Sequence, residues 1–585
     1  MAKYDLDTIR HSTAHLMAQA VMELFSNESV QLGIGPVIEN GFYYDIDMTS
    51  RLSEENLKQI EDKMKEIIKR DLPVVRHEVS RKEAMELFQA RGQALKCELI
   101  RDIPEGEIIS YYTQGEKFFD LCTGPHVEKT SHLPQFFKLL HTAGAYWRGD
   151  QSRPMLQRIY AACFNSKDEL KEYLHQIEEA KKRDHRKLGK ELELFIFDPV
   201  APASPFFMPK GALVYNGLIE FMRRIYAKFG YQEVITPQVL DVDLWHTSGH
   251  YEKYKENMYF TQIDEREFAL KPMNCPCHML MFSHHRYSYR DLPLRFADFG
   301  RLHRYEKSGV VAGLTRVRTF CQDDAHIFIQ FDGIQEEIKT LMNMFFISYE
   351  HFGFKKIKIG LSTRPEMRIG SDETWDRAEA ALKAALDASE KDYFINEGDG
   401  AFYGPKIDIQ VADALGRYFQ LGTIQLDFQL PERFDLKFTN QNGEMERPVV
   451  IHRALLGSLE RFFGVYLEHI GGAFPFWLAP EQAVIIPVKN ELHLEAAQKL
   501  EKELKEKGLR VKVDDRNESM GLKTRQAQTG KIPFMLVLGD KEIETQSVSV
   551  RRYGEMKSDT LAKNDLFALF QDMDAERVPA PLRGN

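Results

Sequence analysis

Three short segments that lie far apart in this chain read as parts of one site, so any fold it adopts must bring them together. They are KPMNCPCH at 271–278, RYEKSGVVAGLTRVRTFCQDDAH at 304–326 and IHRALLGSLER at 451–461. Each holds one good metal ligand: Cys275, His326 and His452. Each also holds arginine or polar residues of the kind that grip phosphates. A thiolate and two imidazoles suit zinc, and three protein ligands leave its fourth position open. From the residues alone another reading stays open. A buried cysteine is commonly just a small hydrophobe, and no spacing rule ties ligands so distant.

The run TRVRTFCQDDAH followed by HRALLGSLER is specific. At these residues the chain resembles the bacterial-type threonyl-tRNA synthetases, a family of class II aminoacyl-tRNA synthetases. The resemblance extends from Ile9 to about residue 575. It implies an α+β multidomain protein with an antiparallel-sheet catalytic core, an N-terminal α/β editing domain and a C-terminal α/β anticodon-binding domain.

Composition is compatible with this. The length of 585 residues suggests three or four domains. The 43% hydrophobic and 28% charged content is ordinary for a globular protein. No run of eighteen apolar residues predicts a membrane span, and MAKYDLDTIRHS is not a secretion signal. Six cysteines in this length fit a reduced, cytoplasmic setting. The net charge of −10 does not advertise nucleic-acid binding, so basic residues must be sought locally.

The expected domains are 1–163 (editing), 164–194 (helical connector), 195–473 (catalytic) and 474–585 (anticodon-binding). The first opens with a helix through IRHSTAHLMAQAVMELF, with Asp7 or Thr8 as N-cap. Strands GFYYDID and EIISYYTQ and a charged helix at 53–70 follow. The stretch 165–193 is charged and helical, with Ser166 and Glu169 in a capping-box pattern; it is either a connector or a solvated face. YQEVITP, KKIKIGLS and GRYFQLGTIQLDF read as strands. YQEVITP matches the motif that builds the family's dimer interface, which implies a homodimer. After GGAFPFWLAPEQ, strands AVIIPV, LRVKVDD, FMLVLG and SVSVRRY alternate with helices and predict a mostly parallel sheet.

Joining an amino acid to ATP brings a carboxylate against the α-phosphate. Preorganised cations stabilise the charge that develops there, and arginine's planar fork suits phosphate oxygens. By resemblance, Arg304 contacts the α-phosphate and the substrate carboxylate. Glu306 reads the adenine amino group and Phe320 stacks on adenine. Arg316 and Arg461 hold the pyrophosphate end, with Mg2+ accompanying ATP. Without the family, each arginine fits a surface ion pair better than a phosphate contact. The resemblance also makes Cys275, His326 and His452 the ligands of one Zn2+, which takes the amino group and hydroxyl of L-threonine together. Gln322, Asp324, Tyr403, Gln425 and Ser458 line the threonine pocket, and His250 assists transfer to tRNA(Thr). Two departures stand out: Cys277 replaces the usual glycine of NCPGH, and Cys321 stands where threonine is common. Cys277 reads either as a second thiolate or as a small residue in glycine's place.

Zinc cannot reject serine, which carries the same two groups and is smaller, so a second, hydrolytic sieve is required. His11 and His15 are i,i+4 on the first helix and share a face. Cys122 and His126 lie in DLCTGPH. The four make a plausible zinc set, as in the related alanyl-type editing domains. The threonyl resemblance instead implies hydrolysis through ordered water without a required metal, with Asp120, Lys96 and Tyr44 around the pocket. Family members usually begin with a further small domain, and Met1 just ahead of the His11 helix implies that it is missing here.

Segment 510–531 carries Arg510, Lys512, Arg516, Lys523, Arg525 and Lys531 against three acids; from the residues alone this is either an ordinary solvated surface or a basic patch that meets RNA phosphates, and the resemblance favours the second. Asn517, Glu542 and Arg551 are the candidate anticodon contacts. The alternatives are an adenylating ligase with another acceptor and a non-catalytic RNA-binding paralogue. The first needs neither terminal domain; the second is expected to lose an ATP arginine or a metal ligand, and none is lost. A metallohydrolase built on His11, His15, Cys122 and His126 leaves most of the chain unexplained.

Overall fold

The computed structural model describes residues 4–577 and 579, apart from 151 and 390. The outermost ends of the first and last expected domains lie outside these. The chain divides into two compact units, 1–178 and 179–585.

In the first unit the opening helix is Leu6–Leu24. Its N-cap is Asp5, two residues before Asp7 and three before Thr8, because the Asp5 carboxylate accepts the Thr8 amide hydrogen at 2.7 Å. Leu16, Met17 and Val21 are fully buried along this helix. It packs on the strand Gly41–Asp47 and the helix Glu54–Lys69. The strand alternates, sending Phe42, Tyr44 and Ile46 into the core. It pairs antiparallel with Met155–Cys163, which pairs with Phe137–Tyr146. A second antiparallel sheet joins Val74–Val79, Ile109–Gln114 and Phe118–Leu121, and the last of these delivers Asp120 and then Cys122.

The helical stretch at 165–193 is two helices, Lys167–Arg183 and His185–Glu191. The capping box at Ser166 and Glu169 forms, with amide-to-side-chain bonds of 3.1 and 3.2 Å. The break falls at Asp184, whose carboxylate accepts the Arg186 amide hydrogen and starts a new helix.

The second unit is built on an eight-stranded sheet. Its order is Gln232–Glu233, Leu294–Asp298, Asp324–Ile329, Val449–Ala454, Tyr418–Asp427, Lys406–Ala412, Ile357–Ser362 and Phe394–Asn396. Pairing is antiparallel except at the two edges. YQEVITP therefore contributes only a two-residue edge strand. Ala325, Ile327, Ile451, Ile424 and Leu426 face one large core shared with the helices Pro209–Phe229, Ile334–His351 and Leu459–His469. Alternation puts their neighbours on the opposite face, which is the face that carries the site.

Beyond 480, Val511–Val513, Ala483–Pro487 and Phe534–Leu538 pair in parallel, while Ser547–Arg552 and Asp559–Ala562 continue the sheet antiparallel. The parallel part is as expected; the antiparallel part follows from connections between the last strands that are too short for a parallel crossover, even though the first holds the one-turn helix Asp540–Glu544.

Candidate active site

Strand register assembles the metal-ligand trio. His326 pairs with His452 across two antiparallel strands, and Gln425 faces His452 on the next. The three side chains thus stand in one row on one face, and a slip of one residue in any strand would remove a member. Cys275 comes from outside the sheet, at the first turn of the helix Cys275–Ser283. The Sγ and the two imidazole nitrogens lie within 4.8 Å of one another, and all three residues are buried. Outer partners orient the rings. His452 Nε2 donates to Asp427 Oδ2 at 2.8 Å, and His326 Nδ1 meets His278 Nδ1 at 2.7 Å. Those bonds leave His452 Nδ1 and His326 Nε2 for a metal, the arrangement that histidine-metal sites commonly use. One thiol and two such imidazoles fit zinc with a coordination position to spare. Burial, reinforced by the Asp324 charge, holds the Cys275 thiol well above its usual range, and burial holds His326 well below its own.

Cys277 is not part of the trio. Burial raises its pKa, and its thiol faces Thr236 and Lys271, so it fills glycine's place as a small buried residue. Cys321 Sγ meets the Phe299 carbonyl at 3.2 Å.

A cavity of about 180 Å³ opens on the trio and is lined also by Gln322, Asp324, Tyr403 and Gln425. Tyr403 donates its hydroxyl hydrogen to Gln425 Oε1 at 2.8 Å, and Asn274 Nδ2 donates to Asp324 Oδ2 at 2.9 Å. Burial raises the Asp324 pKa, with His278 and the Asn274 bond opposing it. A second cavity of about 320 Å³ is lined by Glu306, Arg316, Phe320, Ser458 and Arg461. Arg304, Gln322, Thr423 and Gly457 line both, so the two are one continuous groove. Arg304 crosses the junction, with its guanidinium carbon 4.9 Å from the Phe320 ring centroid. Arg316 pairs with Glu306 at 3.0 Å. Arg461 donates to the carbonyls of Gln420 and Thr315, and burial and then Arg316 lower its pKa.

Two expected residues sit differently. Ser458 lines the larger cavity, and its hydroxyl accepts the Arg461 amide hydrogen as a helix N-cap. His250 is fully buried behind Cys275, 3.1 Å from Met273 Sδ and 2.8 Å from Ser248 Oγ, and lines neither cavity. Burial lowers its pKa to about 3. Asp427, His278, Asn274 and Thr423 were not singled out from sequence. Asp427 had a signal: it lies two residues from Gln425 and so shares its face.

In the first unit, His11, His15, Cys122 and His126 also bring ligand atoms within 4.8 Å of one another. Cys122 Sγ is 3.2 Å from both His11 Nε2 and His126 Nε2. His126 Nδ1 is fixed by Ser12 Oγ at 3.0 Å. Beneath the cluster, buried Asp120 accepts from Tyr44 and pairs with Lys96 at 2.5 Å, and lies 3.6 Å from His15 Nε2. Burial, ahead of neighbouring charges, lowers the pKa of all three imidazoles and lifts Cys122 to about 11. The cluster is therefore neutral near pH 7.

The basic patch is largely committed. Arg510 donates to the carbonyls of Trp477 and Ala479, Lys512 pairs with Glu481, Arg516 with Asp514, and buried Lys523 donates to the Asp514 carbonyl. Arg525 stays exposed. Of the anticodon candidates, Glu542 accepts the Gly539 amide hydrogen, and Arg551 donates to the Glu555 carbonyl. Asn517 is exposed in the turn before the helix Met520–Thr529.

A mostly antiparallel sheet with an arginine-lined groove on one face is the architecture of a class II aminoacyl-tRNA synthetase, and residues 254–470 match the model of the tRNA synthetase class II core domain (G, H, P, S and T). Residues 482–573 match the anticodon binding domain, and 109–160 the threonyl and alanyl tRNA synthetase second additional domain. A threonine–tRNA ligase of Bdellovibrio bacteriovorus is 54% identical over 93% of this chain and 83% of its own length. Threonine–tRNA ligase 2 of Bacillus subtilis is 50% identical over 98% of this chain and 88% of its own. A crystal structure titled as the RNA binding domain of the Cryptosporidium parvum threonyl-tRNA synthetase superposes with a TM-score of 0.65 at 47% identity, covering 67% of this chain and 98% of that one. The chain belongs to the threonyl-tRNA synthetase family.

Proposed function

We propose that this protein is a threonine–tRNA ligase. It activates L-threonine with ATP, transfers the threonyl group to the 3′ end of tRNA(Thr), and hydrolyses seryl-tRNA(Thr) made in error. The observation that carries this reading is the continuous groove: a Cys-His-His trio opens into its smaller end and arginines line its larger end.

ATP with Mg2+ occupies the larger cavity. Arg304, at the junction, neutralises the carboxylate and the α-phosphate as they approach, and Arg316 and Arg461 take the charge of the departing pyrophosphate. Glu306 and Phe320 hold the adenine. Threonine lies in the smaller cavity, where Asp324 accepts from its hydroxyl and Tyr403 and Gln425 close the wall. Cys275, His326 and His452 would hold a zinc ion, which would supply Lewis acidity toward the amino group and the hydroxyl. Valine, nearly isosteric, offers no hydroxyl; an apolar pocket alone separates such pairs by only about 100-fold.

Seryl-tRNA is cleaved in the first unit. Neutral imidazoles of His11, His15 and His126 accept a proton from water and return one to the ribose oxygen. Cys122 is held as a thiol, so it serves as a hydrogen-bonding wall and not as a nucleophile. Lys96 and Asp120 hold the floor of the pocket in place. The protein acts as a cytoplasmic homodimer, with the edge strand Gln232–Glu233 and Ile235, 90% exposed, at the subunit contact. The test is charging of tRNA(Thr) transcript with labelled threonine and ATP. Threonyl-tRNA should form with threonine and with no other standard amino acid except trace serine; charging with a different amino acid would overturn the assignment.

A further inference from the structure

We propose that His185 is a positioning residue for the ATP-binding loop. The inference rests on the functional reading above and identifies what holds the larger cavity's wall in place. His185 begins the short helix after Asp184 and is 5% exposed. Its ring has a distinct partner on each nitrogen. Nδ1 lies 2.6 Å from Glu468 Oε1, and Nε2 lies 3.0 Å from the backbone nitrogen of Leu314. An amide can only donate, so Nε2 must be the unprotonated acceptor and Nδ1 must carry the hydrogen, which it gives to Glu468. The two bonds together hold a neutral imidazole in a single tautomer.

Both partners lead to the nucleotide. Leu314 immediately precedes Thr315 and Arg316, which line the larger cavity. The Thr315 carbonyl accepts from Arg461 Nη1 at 3.0 Å. Glu468 lies on the helix Leu459–His469, whose first turn carries Arg461. Its carboxylate also accepts the His185 amide hydrogen at 3.1 Å and pairs with Arg417 at 2.6 Å. His185 thus spans the loop carrying Arg316 and the helix carrying Arg461, the two arginines assigned to pyrophosphate. Contact with the loop is tight from the other side as well. A Cβ at Gly313, whose φ is +51°, would lie 2.2 Å from His185 Nε2. Glycine there lets the loop rest directly on the ring.

The two bonds can be separated by substitution, since glutamine presents a polar atom at the position of Nε2 and asparagine at that of Nδ1. The experiment is threonine-dependent ATP–pyrophosphate exchange with full-length His185→Ala, His185→Gln, His185→Asn and Gly313→Ala, paired with calorimetric ATP binding. His185→Ala should raise the KM for ATP roughly tenfold, the scale of the lost Leu314 bond, since the residue-185 amide still anchors to Glu468 whatever the side chain. The KM for threonine should stay within about twofold. His185→Gln should restore the ATP value, His185→Asn should not, and Gly313→Ala should reproduce the alanine defect. Should His185→Ala fail to fold, the contrast between glutamine and asparagine decides. Equal rises in both KM values, an unchanged KM for ATP, or rescue by asparagine as good as by glutamine would overturn the proposal. Absence of threonine-dependent exchange in the parent would instead sink the functional reading, and the ATP-binding series would still test His185.

Discussion

At the residue scale the site depends on groups that touch no substrate. Asp427 accepts from His452 Nε2 and also from the amides of Gln429 and Leu430. Asp427→Asn keeps an oxygen for the amides but sets an NH2 or a neutral oxygen against the ring. Metal affinity should fall about 10–100-fold, measured by chelator competition, with little change in circular dichroism. Unchanged affinity would mean that Asp427 does not orient His452. In the other unit, His11→Ala removes one imidazole from Cys122 and should make seryl-tRNA(Thr) accumulate in a charging assay with serine; parent-level accumulation would contradict the proofreading role. The ligand trio was legible from sequence only because each member sits inside a matched motif. Asp427 and His278 were not, because which group meets the far side of an imidazole depends on register and on where a separate helix lies, and neither is encoded in local spacing.

At the element scale, the strands Asp324–Ile329 and Val449–Ala454 are locked at their site end by a buried ion pair. Arg453 Nη1 lies 3.2 Å from Asp323 Oδ2, and that carboxylate also accepts the amides of Leu455 and Leu456. Both residues are flanked by site residues: Gln322 and Asp324 beside Asp323, His452 beside Arg453. Burial, only partly offset by Arg453, pushes the Asp323 pKa up to about 6. Removing the cation strands a buried carboxylate, so Arg453→Met should cost roughly 3–5 kcal/mol in urea unfolding. A loss below about 1 kcal/mol would show that the pair is not what holds the strands together. Strands with clear alternation or apolar runs, such as GFYYDID and GRYFQLGTIQLDF, were readable. YQEVITP was readable only as an edge, and its ladder is just the two residues Gln232–Glu233, ending well before Pro237. The cap at Asp5 and the break at Asp184 were missed because each depends on which carboxylate reaches an amide, a choice that local composition leaves open.

At the scale of the whole molecule, acid sensitivity follows from buried imidazoles. His11, His15, His126, His250 and His326 are all held below the ordinary 6.5, chiefly by burial. The unfolded chain binds protons as pH falls through about 6.5, and the folded one does not. Stability is therefore full above that pH and drops as pH falls below it. The raised carboxyls of Asp323, Asp324 and Glu460 act in the opposite direction, but they are fewer. The urea midpoint should be lower at pH 5.5 than at 7.5, and an equal or higher midpoint at 5.5 would contradict this balance.

The most direct measurement is ATP–pyrophosphate exchange by the metal-loaded protein with threonine, serine and valine in parallel. If a metal held by Cys275, His326 and His452 selects its amino acid through the hydroxyl, threonine should support rapid exchange, serine slower exchange and valine almost none. Valine supporting exchange as well as threonine would show that selection does not pass through that hydroxyl.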